Sequence, residues 1–316
     1  MGNFARCCAT LCVLALSGAG SAAHCGEALI TNQPADSLSF VDLATMKAMA
    51  EIKIGGKPAG IALSADGFRA YITAPDSREL VEVDAASRTV TRRLTLGGAP
   101  LGIAAHPTRP EVYVADWYAH KIIVIDTAKF AAIAEIPVGK SPSGVAVTPD
   151  GRLLLSADRE SDAVSIIDIA SRSRLASVPV GLHPFGITID SDGLRAYTAN
   201  VKSDDVTVID IAARKAIGKV ATGRRPYAVA LARGRGFVTD QYGGSITVFD
   251  LATLRPIKAI NACDHPEGIQ ADGAAENVYV ACCGDDFLLR VNADTLAVTS
   301  KAVVGNGPRS FGKFLR

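Results

Sequence analysis

Three short segments of the sequence each place a proline between a basic residue and an aromatic or acidic one. They are His183-Pro184-Phe185, Arg225-Pro226-Tyr227 and His265-Pro266-Glu267. Arginine binds anions through charge-assisted hydrogen bonds, and the rings of phenylalanine and tyrosine stack on other aromatic groups. A fold that brings the three segments together would form a pocket for an anionic or aromatic ligand, in which Arg225 binds the charge and Phe185 or Tyr227 stacks.

Asp240 is a further candidate, because it ends a β-branched segment that follows Arg225, and we expect it to lie behind the same pocket. A metal ion held by His183, His265 and Glu267 is an alternative, although no two histidines have the close spacing of a metal-binding motif. The plainer interpretation is that these side chains are solvated or serve packing. The metal content therefore stays open at this point.

Known catalytic motifs are absent from the sequence. It contains no G-x-S-x-G elbow, no phosphate-binding loop, no complete G-x-G-x-x-G and neither C-x-x-C nor C-x-x-C-H. No nucleophile and base are therefore indicated. We predict a ligand- or partner-binding scaffold without a cofactor, and an enzyme is the alternative.

The three segments belong to a repeat that occupies nearly the whole chain. Its prolines are Pro58, Pro100, Pro142, Pro184, Pro226, Pro266 and Pro308. They are 42 or 40 residues apart, and most are followed two positions later by glycine. Each unit holds four short β-strand-like runs separated by Gly, Pro, Asn or Asp, and a period near 40 with four strands is typical of a β-propeller blade.

The two ends of the chain complete each other. Residues 28–54 contain second, third and fourth strands without a first, and residues 308–316 contain a first strand with nothing after it. Pairing between them closes a ring and leaves no free sheet edge. The sequence thus predicts an all-β, seven-bladed propeller of four-stranded antiparallel blades. The loops of blades four to six, which hold the three segments, then meet at one side of a channel mouth.

The second strands carry a recognisable motif. They read LITN (29–32), YITA (71–74), YVAD (113–116), LSAD (155–158), YTAN (197–200), FVTD (237–240) and YVAC (279–282). Over residues 28–316 the chain resembles the YVTN-repeat β-propeller family, which includes YncE-like exported bacterial proteins.

The resemblance implies the fold but no single activity. Its blade architecture is shared with lactonases and with dehydrogenase subunits. A lactonase-like metal-dependent hydrolase and an accessory protein of a periplasmic quinone-dependent dehydrogenase system are therefore the alternatives to a binding scaffold.

Residues 1–23 differ from the remainder of the chain. They hold a short apolar stretch, a single charge at Arg6, and small residues at Ser21-Ala22-Ala23. This pattern predicts a signal peptide, with the propeller over residues 24–316 and a periplasmic or secreted location. No later stretch is long enough to span a bilayer.

The net charge limits the partners that we expect. Lys and Arg number 33 against 32 Asp and Glu, so loss of Arg6 with the signal peptide leaves the mature chain without net charge. This balance argues against a broad nucleic-acid-binding surface. We expect a monomer that binds an unknown small ligand or protein at the channel mouth.

Four cysteines remain after the signal peptide, namely Cys25, Cys263, Cys282 and Cys283. In an exported protein they are candidates for disulfides. Cys263 precedes the first strand of blade six, and the vicinal pair ends the second strand of that blade. A bridge from Cys263 to Cys282 or Cys283 is therefore predicted. A bridge within the vicinal pair is the alternative.

Overall fold

The computed structural model describes residues 26–316. The predicted signal peptide at residues 1–23 lies outside the described residues, as does Cys25. The regular secondary structure of the described chain is β-strand, apart from a single 3-10 turn at Arg159–Ser161. It contains no helix that is long and apolar enough to cross a membrane.

Twenty-eight strands form a ring of blades and are numbered in chain order. The N-terminal sheet consists of β1 (Glu27–Asn32), β2 (Ser37–Asp42) and β3 (Lys47–Lys53). Blade one consists of β4 (Gly60–Leu63), β5 (Arg69–Ala74), β6 (Glu79–Asp84) and β7 (Thr89–Thr95). Blade two consists of β8 (Pro100–Ala105), β9 (Glu111–Asp116), β10 (Lys121–Asp126) and β11 (Ala131–Pro137). Blade three consists of β12 (Pro142–Val147), β13 (Leu153–Asp158), β14 (Ala163–Asp168) and β15 (Ser173–Pro179).

The second half of the ring repeats this arrangement. Blade four consists of β16 (Pro184–Ile189), β17 (Arg195–Asn200), β18 (Asp205–Asp210) and β19 (Lys215–Ala221). Blade five consists of β20 (Pro226–Ala232), β21 (Arg235–Asp240), β22 (Ser245–Asp250) and β23 (Pro256–Asn261). Blade six consists of β24 (Pro266–Ala271), β25 (Asn277–Cys282), β26 (Phe287–Asn292) and β27 (Val298–Val303). The chain ends with the short strand β28 (Phe311–Gly312). The all-β, seven-bladed fold predicted from the repeat is confirmed.

The third strand of blade two shows why the strands are so apolar. In β10, Ile123 and Ile125 pack in a cluster shared with blade one, whereas Ile122 and Val124 pack in a cluster shared with blade three. A strand covered on both faces needs β-branched apolar residues at successive positions rather than at alternate ones. The hydrophobic core thus lies between the blades, and the ring is held together by their mutual packing.

Glycine at the second position after five of the seven repeat prolines lets the inner strands approach closely. A Cβ atom added to Gly102 would lie 1.9 Å from the carbonyl oxygen of Ser143 in the next blade. For Gly60 the corresponding distance to the Leu101 oxygen is 2.2 Å, and for Gly144 the distance to the Phe185 oxygen is 2.5 Å. No side chain fits in this space, so the glycines set the spacing of the blades around the axis.

The C-terminal segment closes the ring by pairing on both of its edges. Along β1 it runs antiparallel, with the Arg309 N–H donating to the Thr31 carbonyl (2.8 Å) and the Leu29 N–H donating to the Phe314 carbonyl (2.9 Å). Along β4 it runs parallel, and Phe311 N–H donates to the Ala59 carbonyl (3.2 Å). The first of these pairings is the predicted closure, whereas the second was not predicted.

Replacement of Gly102 by alanine tests the glycine contact. We expect Gly102→Ala to lower the free energy of unfolding by about 1–3 kcal/mol, since the new methyl group overpacks the contact with blade three. The measurement is chemical denaturation followed by far-ultraviolet circular dichroism. Gly273→Ala is the matched control, because a Cβ at that glycine meets no atom within 4 Å. Equal stability of the two variants would contradict the steric account.

Candidate functional site

One end of the central channel is surrounded by the seven residues that directly follow the repeat prolines. We call this end the mouth, and it consists of Ala59, Leu101, Ser143, Phe185, Tyr227, Glu267 and Arg309. They lie side by side because the carbonyl oxygens of five of them contact the glycine of the preceding blade. Hydroxyl groups also fix carbonyls of the mouth. Thr239 Oγ1, on a second strand, donates to Glu267 O at 2.7 Å, and Ser143 Oγ, on a first strand, donates to Phe185 O at 3.0 Å.

Three aromatic rings form the floor of the mouth. The ring centroid of Phe185 lies 4.6 Å from that of Tyr227 and 4.8 Å from that of Phe311, and the last two are 5.5 Å apart. Tyr227 and Phe311 are buried, whereas Phe185 is partly exposed. The tilted geometry is the one that aromatic pairs prefer. The accessible ring of Phe185 can therefore stack on a planar ligand while the other two support it.

Glu267 lies beside this floor and is almost completely buried, with 1% of its surface exposed. Its Oε1 accepts a hydrogen bond from Gln241 Nε2 at 2.7 Å, and its Oε2 lies 3.4 Å from Arg309 Nη1. Among residues 26–316, neither this Oε2 nor Arg309 Nε has a hydrogen-bond partner, although both atoms are buried. Arg309 is 31% exposed, so part of its side chain reaches the open mouth.

Burial dominates the protonation of this group. It raises the pKa of Glu267, and the nearby Arg309 guanidinium opposes this effect. Burial and the neighbouring Glu267 carboxylate raise the pKa of the Cys283 thiol to about 11. Burial also raises the pKa of Tyr227. The thiol and the phenol are therefore protonated at neutral pH and can donate hydrogen bonds toward Glu267.

Arg225 lies on the rim of the mouth and carries an unpaired charge. Its backbone N–H donates to Asp204 Oδ1 at 2.7 Å, which fixes the loop. Its guanidinium lies 4.3 Å from the centre of the Tyr242 ring, and within the described chain no carboxylate lies close enough to form an ion pair with it. His265 contacts the same Tyr242 ring edge-on at 5.3 Å, and its Nδ1 is 2.6 Å from Asp264 Oδ1.

His183 lies on the other side of Phe185. Its Nε2 is 3.6 Å from Glu160 Oε2, and its Nδ1 is buried without a hydrogen-bond partner in the described part of the chain. Burial, followed by the charge of Arg159, lowers the pKa of His183, so the imidazole is neutral at neutral pH. The indole of Trp117 approaches Phe185 at 6.4 Å and forms a wall on this side.

Asp240 is not brought into the mouth. Its buried carboxylate points into blade five, where it accepts hydrogen bonds from Gly223 N–H (3.0 Å), Ser245 Oγ (2.8 Å) and Thr247 Oγ1 (2.8 Å). Asp158 makes the same three kinds of contact in blade three. The contacts of Asp240 are therefore those of a residue that anchors a loop to its blade. Of the other predicted ligand residues, Phe185, Tyr227 and Glu267 belong to the mouth, whereas His183, Arg225 and His265 directly precede the repeat prolines beside it.

The disulfide predicted in blade six joins Cys263 and Cys282, whose Cα atoms are 5.8 Å apart, and Cys283 is a free thiol. His183, His265 and Glu267 do not form a metal centre. Residues 26–316 contain no group of three or more His, Cys, Asp or Glu side chains that could hold a metal ion.

Arg309 belongs to the mouth, and Phe311, Gln241 and Cys283 lie against its residues, but none of the four is among the predicted ligand residues. The repeat contains a signal for the first of them. Arg309 follows Pro308 just as Phe185 and Tyr227 follow their prolines. The other three face the mouth because of strand geometry that the repeat alone does not reveal.

A large cavity lies below the mouth. It has a volume of about 1200 Å³ and extends from Phe311 to the turns that join first and second strands at the opposite end of the ring. Its wall consists mainly of glycine, alanine, valine and isoleucine from the inner strands. The aromatic floor therefore separates a small polar mouth from a wide apolar channel.

Comparisons with known proteins agree with this architecture. The family model described as YNCE-like beta-propeller matches residues 13–111, and the model described as Lactonase, 7-bladed beta-propeller matches residues 63–230, more than half of the chain. Because the second model covers more than half of the chain, the chain belongs to the family of seven-bladed β-propellers that this model describes, and its N-terminal part is similar to the YNCE-like propellers. No curated protein matches it significantly.

Solved structures with this fold come from proteins of different kinds. Hydrazine synthase of Kuenenia stuttgartiensis aligns with a TM-score of 0.76 and 20% identity, covering 84% of this chain and 92% of that chain. A functionally unknown protein from Desulfotomaculum acetoxidans DSM 771 aligns with a TM-score of 0.77 and 16% identity, covering 90% and 99%. Dihydro-heme d1 dehydrogenase NirN, in complex with DHE, aligns with a TM-score of 0.68 and 13% identity, covering 92% and 74%. At these identities the likeness concerns the fold alone.

Replacement of Asp240 tests its place in blade five. We expect Asp240→Ala to lower the free energy of unfolding by about 1–3 kcal/mol, because Gly223 N–H, Ser245 Oγ and Thr247 Oγ1 lose the carboxylate that accepts their hydrogen bonds. Chemical denaturation measures the loss, and Asp76→Ala, at an exposed aspartate in the corresponding loop of blade one, is the control. A stable Asp240→Ala variant with altered ligand affinity would instead identify Asp240 as a ligand residue.

Proposed function

We propose that this protein is an exported binding protein that holds a planar, anionic ligand at the mouth. The observation that carries the proposal is the partly exposed ring of Phe185 on a buried aromatic floor, beside the unpaired guanidinium of Arg225. The rings provide an apolar surface that a planar group can cover. The guanidinium provides a charge and directional donors for an acidic substituent.

The electrostatic surroundings favour an anion over a cation. Arg225 and the exposed Arg224 project from the loop between blades four and five, and the exposed part of Arg309 faces the mouth from the last strand. The carboxylate of Glu267 is buried beneath Arg309, and that of Asp264 is occupied by His265. A ligand that enters the mouth therefore meets guanidinium groups before it meets a free carboxylate.

Export is part of the proposal. The composition of residues 1–23, the family resemblance and the disulfide between Cys263 and Cys282 support it, since disulfides persist in oxidising compartments. An accessory role in a quinone-dependent oxidation system agrees with the proposed ligand class, because carboxylated quinones are planar anions.

Lactone hydrolysis is the second candidate function, and the match of the lactonase model to residues 63–230 favours it. In such a reaction Arg309 would stabilise the developing negative charge on the carbonyl oxygen, and Glu267 would act as the base. Titration of the acid released from glucono-δ-lactone, with and without added divalent cations, distinguishes this activity from simple binding. Release faster than the spontaneous rate, lost in Glu267→Gln, would support the enzyme.

Binding at the mouth can be tested with naphthalene-2-carboxylate as a simple planar anion. We expect Arg225→Ala to weaken its binding by about tenfold, the amount attributable to one charge-assisted hydrogen bond. We expect a similar loss in Phe185→Ala, because the stacking surface is removed. Isothermal titration calorimetry measures both affinities.

Two variants on the opposite end of the ring serve as controls. Phe68→Ala removes an exposed phenylalanine (52% exposed), and Arg255→Ala removes an exposed arginine. Both should bind the probe as the parent protein does. Undiminished binding in Phe185→Ala and Arg225→Ala would place the ligand elsewhere, and the wide channel below the floor would then be the alternative.

A further inference from the structure

We propose that the acidic group of the ligand displaces Glu267 from Arg309, and that Glu267 takes up one proton from solvent as this occurs. The inference rests on the proposed function, which it extends by adding Arg309 as a second guanidinium that binds the acidic group together with Arg225. It makes ligand binding at the mouth dependent on pH.

The inference starts from an ion pair in which both partners have an atom without a hydrogen bond. Glu267 Oε2 and Arg309 Nη1 are 3.4 Å apart, and both Oε2 and Arg309 Nε are buried without a hydrogen-bond partner in the described chain. Buried polar groups are nearly always hydrogen-bonded, so two such atoms on one ion pair leave room for a further partner. A carboxylate that accepts from Nε and Nη of the same guanidinium would satisfy both nitrogens at once.

Only the arginine of this ion pair is accessible to a ligand. Arg309 is 31% exposed toward the mouth, whereas Glu267 is only 2% exposed at its side chain. A ligand that enters from the mouth therefore contacts the Arg309 guanidinium before it can contact the Glu267 carboxylate. Thr239 Oγ1 donates a hydrogen bond to the Glu267 carbonyl, and Gln241 Nε2 donates one to Glu267 Oε1. These two bonds keep the glutamate in place when the Arg309 side chain turns toward a ligand in the mouth.

Once Arg309 is neutralised by the ligand, few groups remain to keep Glu267 ionised. The titratable groups that face it are Tyr227 from blade five, His265 and Cys283 from blade six, and Arg309 from the last strand. Tyr227 and Cys283 are neutral donors, and His265 is engaged with Asp264. Two carboxylates at one guanidinium cannot both remain charged in a buried site, so Glu267 becomes protonated on Oε2. The neutral acid can then donate that proton as a hydrogen bond to the ligand.

The sign of the pH dependence follows from this proton uptake. Below the pKa of Glu267 in the free protein, the carboxyl is already protonated and affinity is highest. Above that pKa each binding event requires a proton, and the affinity falls by up to about tenfold for each pH unit. The decline in affinity ends at the pH that equals the pKa of Glu267 in the complex. This pKa is higher than in the free protein, because the ligand buries the carboxyl further and neutralises Arg309.

Calorimetric titration of naphthalene-2-carboxylate over a pH series, in buffers of two different ionisation enthalpies, tests the inference. We expect the heat of binding to depend on the buffer because a proton is taken up. Glu267→Gln carries an uncharged amide of the same shape, so it should bind as tightly as the parent protein does at acidic pH, with heat independent of the buffer. Glu135→Gln, on an outer strand, is the matched control and should behave as the parent protein.

The outcomes separate the two proposals. If the parent protein binds naphthalene-2-carboxylate with an affinity and a heat that do not depend on pH or buffer, proton uptake by Glu267 is overturned. The proposed ligand pocket would stand in that case, regardless of how Glu267→Gln binds. Binding of naphthalene-2-carboxamide but not of the carboxylate, to both the parent protein and Glu267→Gln, would overturn the role of Arg309. Failure of both compounds to bind either protein would overturn the proposed function and this inference together.

Discussion

The close approach of seven inner strands around one axis is the constraint on which the rest of the structure depends. It exists because glycines such as Gly102 and Gly144 contact the backbone carbonyls of the next blade at distances that leave no room for a side chain. Each contact uses the carbonyl of the residue after a repeat proline, and the side chain of that residue therefore turns toward the axis. The same steric rule that spaces the blades also lines the mouth with one residue from every blade.

In such a ring the side chains at the mouth can differ between blades while the backbone arrangement stays the same. Ala59 and Ser143 on one side leave open space, whereas Phe185, Tyr227 and Glu267 on the other side fill it. Their backbone positions are equivalent, so the difference in chemistry is carried entirely by the side chains. The polar network of the blades is separate from the mouth, and it is completed by internal hydrogen bonds such as those of Asp240.

The fold could be predicted almost completely from the sequence, since proline and glycine recur at a fixed period and each has one steric reason to be there. The candidate site could be predicted only in part. Phe185, Tyr227 and Glu267 follow repeat prolines, so the repeat indicates their position, whereas Arg309 occupies the same position in an incomplete repeat and is not among the predicted ligand residues. The orientation of Asp240 could not be read from its strand alone. A hydroxyl residue seven positions later, present for Asp240 and also for Asp158, is the signal for that inward orientation.

The pairing of the closing segment links the integrity of the ring to the composition of the mouth. Arg309 and Phe311 lie in this segment, and they reach the mouth only when the segment has paired with β1 and β4. A ring in which this pairing is lost has an open seam and lacks one ring of its aromatic floor and the guanidinium beside Glu267. Opening of the seam and loss of the candidate site are therefore the same structural event.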